Sequence, residues 1–328
     1  MILHRWLASL LLFFSCSTIA CQLTASTPSI QFGSVSSFTV SSTQQQSSAQ
    51  PHAGITCDFS TLVSLLSGDY VSVTFTSLKG GQMTTQGDAS SVINYQIFGD
   101  SNLSEEYVFG QLYTFTDTDL LDLLDLLDLL GLFGDQVEFP LYARTGAGSN
   151  LSAGTYTDQI MASWTWNYCS GVGLPGVCII RTEGSAQSTI TVELEVTPDC
   201  MITAPDIDFG SSPLVAGFDP VSQVISLTCT KNSSFTIGLN DGVNASGGQR
   251  RMASDGNYLE YEIYKSSSTE RWGSAGAERR EQSDVDTGDA IPDGITPQNY
   301  NYRAQIMTSQ TTPPAGTYTD SIIVDVQF

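Results

Sequence analysis

Residues 316–328 read GTYTDSIIVDVQF, and residues 154–164 open in the same way, GTYTDQIMASW. In the later stretch Ile322, Val324, Val326 and Phe328 alternate with Ile323, Asp325 and Gln327. A side-chain period of two sends neighbours to opposite faces, as a half-buried β-strand requires and a helix does not. The repeated pentapeptide indicates that one strand of one fold occurs twice in the chain.

Working outward, CQLTASTPSIQFGS at residues 21–34 matches CMITAPDIDFGSS at residues 200–212, and Cys57 and Cys229 follow at the ends of strand-like segments. The economical reading is two copies of one domain with a junction near Val196–Cys200. Within them STITVELEV (188–196), YVSVTFTSL (70–78), INYQIF (93–98), LEYEIY (259–264) and NYRAQIM (301–307) are short alternating runs parted by Gly, Ser, Asn and Pro. This predicts an all-β chain of two immunoglobulin-like β-sandwich domains in tandem, the second lacking its last strand. The expected boundaries are a signal peptide at 1–20, a first domain at 21–197 and a second at 198–328.

The bulk properties narrow the function. A 328-residue chain with 41% hydrophobic residues can bury two cores, and a net charge of −22 repels a nucleic-acid partner. His4 and Arg5 precede the apolar run WLASLLLFFS (6–15), which is too short to span a bilayer, and Thr18 and Ala20 place cleavage before Cys21. A lipoprotein reading of TIAC is less favoured, because Thr18 stands where leucine is usual. Once Cys16 leaves with the signal, six cysteines remain in an exported chain, and their spacing suggests disulfides Cys21–Cys57, Cys169–Cys178 and Cys200–Cys229. No Cys-x-x-Cys pair exists and His52 is the one histidine of the mature chain, so no metal or other cofactor is expected and no nucleophile–histidine site is formed. Asp119, Asp122, Asp125 and Asp128 make poor calcium ligands, since leucine pairs replace the Gly and Asn of calcium loops. No paired-carboxylate cleft is evident, and the chain is read as no enzyme.

The second copy resembles the spore coat protein U domain, which is also the pilin domain of archaic, Csu-type chaperone–usher pili. The resemblance lies in Cys200, IDFG (207–210), ISLTCT (225–230), GGQRRM (247–252), LEYEIY, RWGS (271–274) and the terminal GTYTDSIIVDVQF. The first copy keeps IQFGS (30–34), INYQIF and GTYTD, lacks RRM and carries long insertions, as in the two-domain tip subunit of such a pilus. The resemblance implies donor-strand complementation: a neighbouring pilin, or during secretion a periplasmic chaperone, lends a strand to a groove bordered by Ile322, Val324, Val326 and Phe328. The first copy runs on through STITVELEV and is expected to complete itself, whereas the second halts at the equivalent of Thr155–Trp166. With Cys21 as the first mature residue, nothing is expected to remain for donation, which places the subunit at a fibre end. An outer-membrane usher is the further partner, and the expected location is a pilus tip at the cell surface, reached through the periplasm.

Three apolar insertions distinguish the first copy. DFSTLVSLLSGD (58–69) carries Leu62, Val63, Leu65 and Leu66. DLLDLLDLLDLLGLFGD (119–135) carries Leu120, Leu121, Leu123, Leu124, Leu126, Leu127, Leu129, Leu130, Leu132 and Phe133. NYCSGVGLPGVC (167–178) carries Val172, Leu174, Pro175 and Val177. Aspartates three apart smear around an α-helix and align only in 3₁₀ geometry, so the middle run has no clean helical face. Strand parity makes these the B–C, D–E and F–G connections, which fall at one pole of a sandwich. They are expected to bind abiotic or host surfaces and support biofilm formation, the aspartates keeping the patch soluble. The alternatives are a structural shaft or coat protein of the same family, and a lectin-like tip with Trp164, Trp166 and Tyr168 as a sugar platform.

Overall fold

The computed structural model describes residues 21–23, 28–47, 52–58, 68–116, 136–148, 150–172 and 177–328. The expected signal segment, 1–20, lies outside them. The first copy contributes β1 (Cys21–Leu23), β2 (Ser29–Ser36), helix α1 (Ser37–Ser42), β3 (His52–Asp58), β4 (Tyr70–Ser77), β5 (Gln82–Thr84), β6 (Val92–Phe98), β7 (Glu106–Tyr107), β8 (Leu112–Thr116), β9 (Gln136–Pro140), β10 (Tyr142–Thr145), β11 (Gly154–Val172) and β12 (Cys178–Thr197). One sheet has the order β1-β3-β9; the other follows β10-β6-β5-β11-β12-β2, with β4 beside β11, β8 beside β4 and β7 beside β6. The second copy contributes β13 (Cys200–Thr203), β14 (Val221–Cys229), β15 (Thr236–Leu239), β16 (Arg250–Ser254), β17 (Asn257–Lys265), β18 (Arg280–Glu281), β19 (Gln298–Ile306) and β20 (Val324–Gln327), in sheets ordered β13-β14-β19-β17-β16 and β18-β15-β20. The described residues are all-β, apart from one turn-and-a-half helix and three 3₁₀ turns, as the period-two pattern predicts.

The period-two pattern translates directly into burial. On β12, Ile190, Val192, Leu194 and Val196 are buried while Glu195 is exposed. Burying each such side chain contributes about 1.5–3 kcal/mol. Ile30 and Phe32 of β2 and Ile160 and Trp164 of β11 meet them in one core. A second core gathers Ile225, Leu227, Ile237, Leu239, Trp272 and Tyr300.

The repeat is legible in the registers. Cys21 stands opposite Cys57 and Cys200 opposite Cys229. The second pair forms a disulfide. Cys178 is also disulfide-bonded. Gly33 and Gly210, equivalent in the two copies, have φ of 79° and 70-odd degrees (72°), a backbone conformation that glycine adopts without strain.

Two expectations are corrected. The hairpin of β11 and β12 is far longer than the predicted runs, at 19 and 20 residues. Its strands continue because alternation persists past Ile160 through Ala162, Trp164 and Trp166, all buried. Gly184 faces Trp166 in the register, and a Cβ there would stand 2.5 Å from the indole, so a glycine is needed for the ring to lie across the strand. Trp164 and Trp166 are 1% and 8% exposed, Trp164 with Phe75 and Phe139 packed on its ring, and they cannot form a sugar platform. The second correction concerns SIIVDVQF: only Val324–Gln327 is regular strand, and Ile322 precedes it.

The sandwiches meet end to end through polar contacts. Thr230 and Ser37 hydroxyls lie 2.6 Å apart, Lys231 Nζ is 2.8 Å from Asp88 Oδ2, and Asn150 Nδ2 donates to the Asp293 carbonyl at 2.8 Å. Ser152 and Lys231 form a parallel β-bridge beside these contacts. The Lys231 ammonium, followed by the Ser90 and Ser91 hydroxyls, holds the Asp88 carboxyl below the ordinary carboxylate range.

Candidate functional site

Two features of the structure are candidates: the far pole of the first sandwich and one edge of the second.

At the pole, three registers bring the stems of the apolar insertions together. Asp58 pairs with Gln136, Tyr70 with Thr116, and Tyr70 also with Asn167. These residues flank segments 59–67 and 117–135 and the outer part of the β11–β12 hairpin. Gly154, at the other end of β11, adjoins Ser152 and hence the second sandwich. Asn167 lies thirteen residue steps along the strand from Gly154, roughly 43 Å at strand rise. Polar side chains brace the stems: Arg181 pairs with the buried Asp69 at 3.2 Å and also donates to Asn167, whose Nδ2 donates to Glu183 at 2.7 Å. Of the apolar candidates, Val177 is 56% exposed and Val172 lies opposite Cys178 in the register. Leu62, Val63, Leu65 and Leu66, the leucines and Phe133 of residues 119–135, Leu174 and Pro175 lie outside the described residues, as do the side chains of Cys21, Cys57, Cys169 and Val172.

The second feature emerges on comparing the copies. In the first, β12 lies between β11, to which it is antiparallel, and β2, to which it is parallel. In the second, Ala162 and Phe75 of the first copy have their counterparts in Val324 and Leu239, which pair in the same register. Yet no strand among the described residues lies on the other side of β20. The consequences are local. SIQFGS forms strand β2 where β12 is present, whereas DIDFGS at residues 206–211 has no regular structure. Likewise β11 is continuous from Gly154, but residues 316–323 are irregular. A strand edge with no neighbour leaves its backbone donors and acceptors without ladder partners.

Between these two edges runs a hollow of about 400 Å³, bordered by Ile207, Phe209, Tyr318, Ile322 and Val324 and floored by Ile225, Leu239 and Ile263. A hollow of about 310 Å³ adjoins Pro213, Leu259 and Pro314, and one of about 550 Å³ lies by Phe235 and Phe328. Ile322, Val324 and Val326 are half-buried and pack against the core, and Phe328 is 55% exposed, its ring 6.4 Å from Phe235. All four residues of the expected groove thus lie along this edge.

One polar pair recurs beneath both edges. Tyr95 donates to Asp158 Oδ2 at 2.7 Å, and Tyr261 donates to Asp320 Oδ2 at 2.7 Å. Burial first, then the aspartate hydrogen bond, raises both tyrosine pKa values above the ordinary phenol range. In the second copy Asp320 also accepts from the backbone N–H of Val243 at 3.0 Å and of Asn244 at 3.3 Å. Asn240 holds Ile323 by two bonds, its N–H donating to the carbonyl and its side-chain oxygen accepting from the amide. The sequence reading passed over this pair, although its signal was the Asp of GTYTD repeated together with the Tyr of NYQIF and EYEIY. The motifs GGQRRM and RWGS serve the frame: buried Arg250 donates to the carbonyls of Leu239, Asn240 and Trp272 and pairs with Glu262, which Arg271 also grips.

Among the described residues no group of His, Cys, Asp and Glu side chains has the arrangement of a metal site, and no helix is long and apolar enough to cross a membrane.

Comparison with known proteins gives the family of the chain. A family model described as the Spore Coat Protein U domain matches residues 8–163 and 186–325. The unmatched stretch between them is the outer part of the β11–β12 hairpin. No curated protein matches the sequence. Among solved structures, the chain is similar to the CsuC–CsuE chaperone–tip subunit pre-assembly complex from the archaic chaperone–usher Csu pili of Acinetobacter baumannii, at 25% identity and a TM-score of 0.59, covering 94% of this chain and 100% of the other. Weaker likenesses are to the CooA pilin subunit of enterotoxigenic Escherichia coli (12% identity, TM-score 0.30, 54% of this chain and 99% of that one) and to CfaE, the adhesive subunit of CFA/I fimbria of the same organism (14%, 0.31, 54% and 48%).

Proposed function

This chain belongs to the Spore Coat Protein U domain family, and we propose that it is the tip adhesin of a chaperone–usher pilus. A pilus-subunit role is supported by the similarity to a Csu tip subunit across nearly the whole chain. The observation that carries the finer reading is the contrast between the two copies: β12 lies beside β11 in one sandwich, whereas among the described residues no strand lies beside β20 in the other, above an apolar hollow. An adjacent subunit fills that edge in the fibre by strand addition, and a periplasmic chaperone fills it beforehand. An outer-membrane usher handles the exchange.

The adhesive end is the far pole of the first sandwich, where the stems of three apolar segments converge. Disulfide Cys169–Cys178 pins the third of them, and Cys21–Cys57 repeats the closure of the second copy. Each Leu or Phe withdrawn from water onto an apolar solid gains roughly 1.5–3 kcal/mol when burial is complete. Several such contacts offset the ordering cost, and many fibres per cell multiply the attachment. Aspartates between the leucine pairs keep the pole soluble until it meets a surface.

The test is a substitution that spares the frame. With Leu123, Leu124, Leu126 and Leu127 changed to Ser, fibres still assemble and attachment of cells to polystyrene and the resulting biofilm fall at least tenfold. Undiminished attachment at equal fibre number overturns the adhesive role.

A further inference from the structure

The first sandwich contains a worked template for a strand beside β20, on the side where no strand lies among the described residues. On β12, Val192 stands beside Ile30 of β2 and Asp158 of β11, and Leu194 beside Tyr156. The intervening Glu193 stands beside Gln31 and Thr157, and Thr191 beside Ser29. The repeat transfers these positions: Ile30 corresponds to Ile207, Phe32 to Phe209, Asp158 to Asp320 and Thr157 to Thr319. The inward positions agree in kind, and Ile207 and Phe209 are half-buried along the hollow as Ile30 and Phe32 are buried along theirs. The outward positions do not agree. Ser29 and Gln31 are replaced by Asp206 and Asp208, both exposed. Asp208 Oδ1 is fixed by the Gly210 N–H at 2.8 Å. Among the described residues neither carboxylate has an ion-pair partner.

We infer that the second sandwich accepts a strand with alternating apolar residues but with a neutral or cationic side chain, not a carboxylate, beside Asp208, and so rejects strands of the β12 type. The inference rests on the reading of the groove as a strand acceptor. A strand bearing Glu at the position of Glu193 sets that carboxylate beside Asp208, with Asp206 two residues away on the same outward face. Like charges on neighbouring strands are destabilising, and a cation there gains a cross-strand pair instead. The chain's charge of −22 adds the same preference at longer range by drawing cationic segments to it. The selectivity has a use: a groove that accepts a β12-type strand can take that strand from a partly unfolded copy of the same protein, and carboxylate against carboxylate opposes the swap.

Two synthetic peptides decide the matter with the mature chain intact. One copies residues 188–197, STITVELEVT; the other carries Glu193→Lys. Fluorescence anisotropy at low and high salt gives both affinities, and protease resistance of the second sandwich confirms where they bind. The Lys peptide should bind about fivefold more tightly at low salt, the upper scale of one cross-strand charge pair. That ratio should shrink in about 0.5 M salt, where charges are screened within a few ångströms. It should shrink equally in an Asp206→Asn/Asp208→Asn chain. Equal affinities at low salt, or a ratio indifferent to the Asp208 change, overturn the charge selectivity while leaving the acceptor reading standing. Failure of both peptides to bind or protect refutes the acceptor reading, and the inference with it.

Discussion

Leu194 tests whether the first sandwich really depends on its built-in last strand. The side chain is fully buried on β12, facing Tyr156 in the register and packed with Ile30, Val192 and Val196. Leu194→Ala deletes three carbons from a core that β2 and β11 close on either side, so little collapse can refill the space. Such truncations cost about 2–5 kcal/mol. With a urea dependence of about 2 kcal/mol/M, the midpoint of the first sandwich falls by about 1–2.5 M. Tryptophan emission provides the assay, because Trp164 and Trp166 lie in the first core and Trp272 in the second. The first transition should move and the second should stay. Glu195→Ala, on the exposed face of the same strand, should change stability by no more than about 0.5 kcal/mol. A loss below about 1 kcal/mol for Leu194→Ala, or equal losses for the two variants, refutes the view of β12 as the internal complement of this sandwich.

Two further outcomes follow from the polar contacts. The Asp88 carboxyl is held below its ordinary value in the folded protein, so its contribution to the junction is complete above the unfolded carboxylate pKa of about 3.9 and fades as pH falls through the lower folded value. Distances between spin labels on the two sandwiches should therefore hold at pH 4 and broaden only in stronger acid, and Lys231→Ala should move the onset up into the ordinary carboxylate range; a junction indifferent to both changes contradicts the assignment. For the buried pair, Tyr95→Phe and Asp158→Ala should each cost about 1–3 kcal/mol, and a double-mutant cycle by urea unfolding should show the two losses to be far from additive.

Much of this architecture was legible in the primary structure, and the reason is physical. Alternation along STITVELEV and SIIVDVQF reports which faces a strand buries, and the recurrence of Cys, Phe-Gly and GTYTD reports that the same faces occur twice. The registers Cys21 opposite Cys57 and Cys200 opposite Cys229 realise that repeat. Ile322, Val324, Val326 and Phe328 could be picked out together because they lie on one alternating run. What escaped was set by contacts between remote positions. The Tyr–Asp pairs join residues 63 and 59 apart in the chain, and either partner alone reads as an ordinary strand residue. Trp164 and Trp166 looked like a platform because aromatic clusters read alike whether they face a core or a ligand; only the packing of Phe75 and Phe139 on Trp164, and of Gly184 beneath Trp166, separates the two. The polar junction at Asp88, Ser152 and Lys231 was likewise hidden, since its members come from both copies.

The long hairpin has a mechanical consequence. β12 begins next to the pole, at Cys178, and runs without interruption to Thr197, three residues before the Cys200–Cys229 bond. A pull applied at the pole and resisted by the second sandwich therefore travels along the strand axis. Its hydrogen bonds to β11 on one side and β2 on the other lie across the direction of load, so they are sheared together and not peeled one at a time. The covalent crosslink at Cys200 then hands the tension straight to β14 and the heart of the next sandwich. Under sustained load survival depends on the rate of unfolding and not on equilibrium stability. A chain threaded this way loads many strand hydrogen bonds at once whenever its two ends are pulled apart.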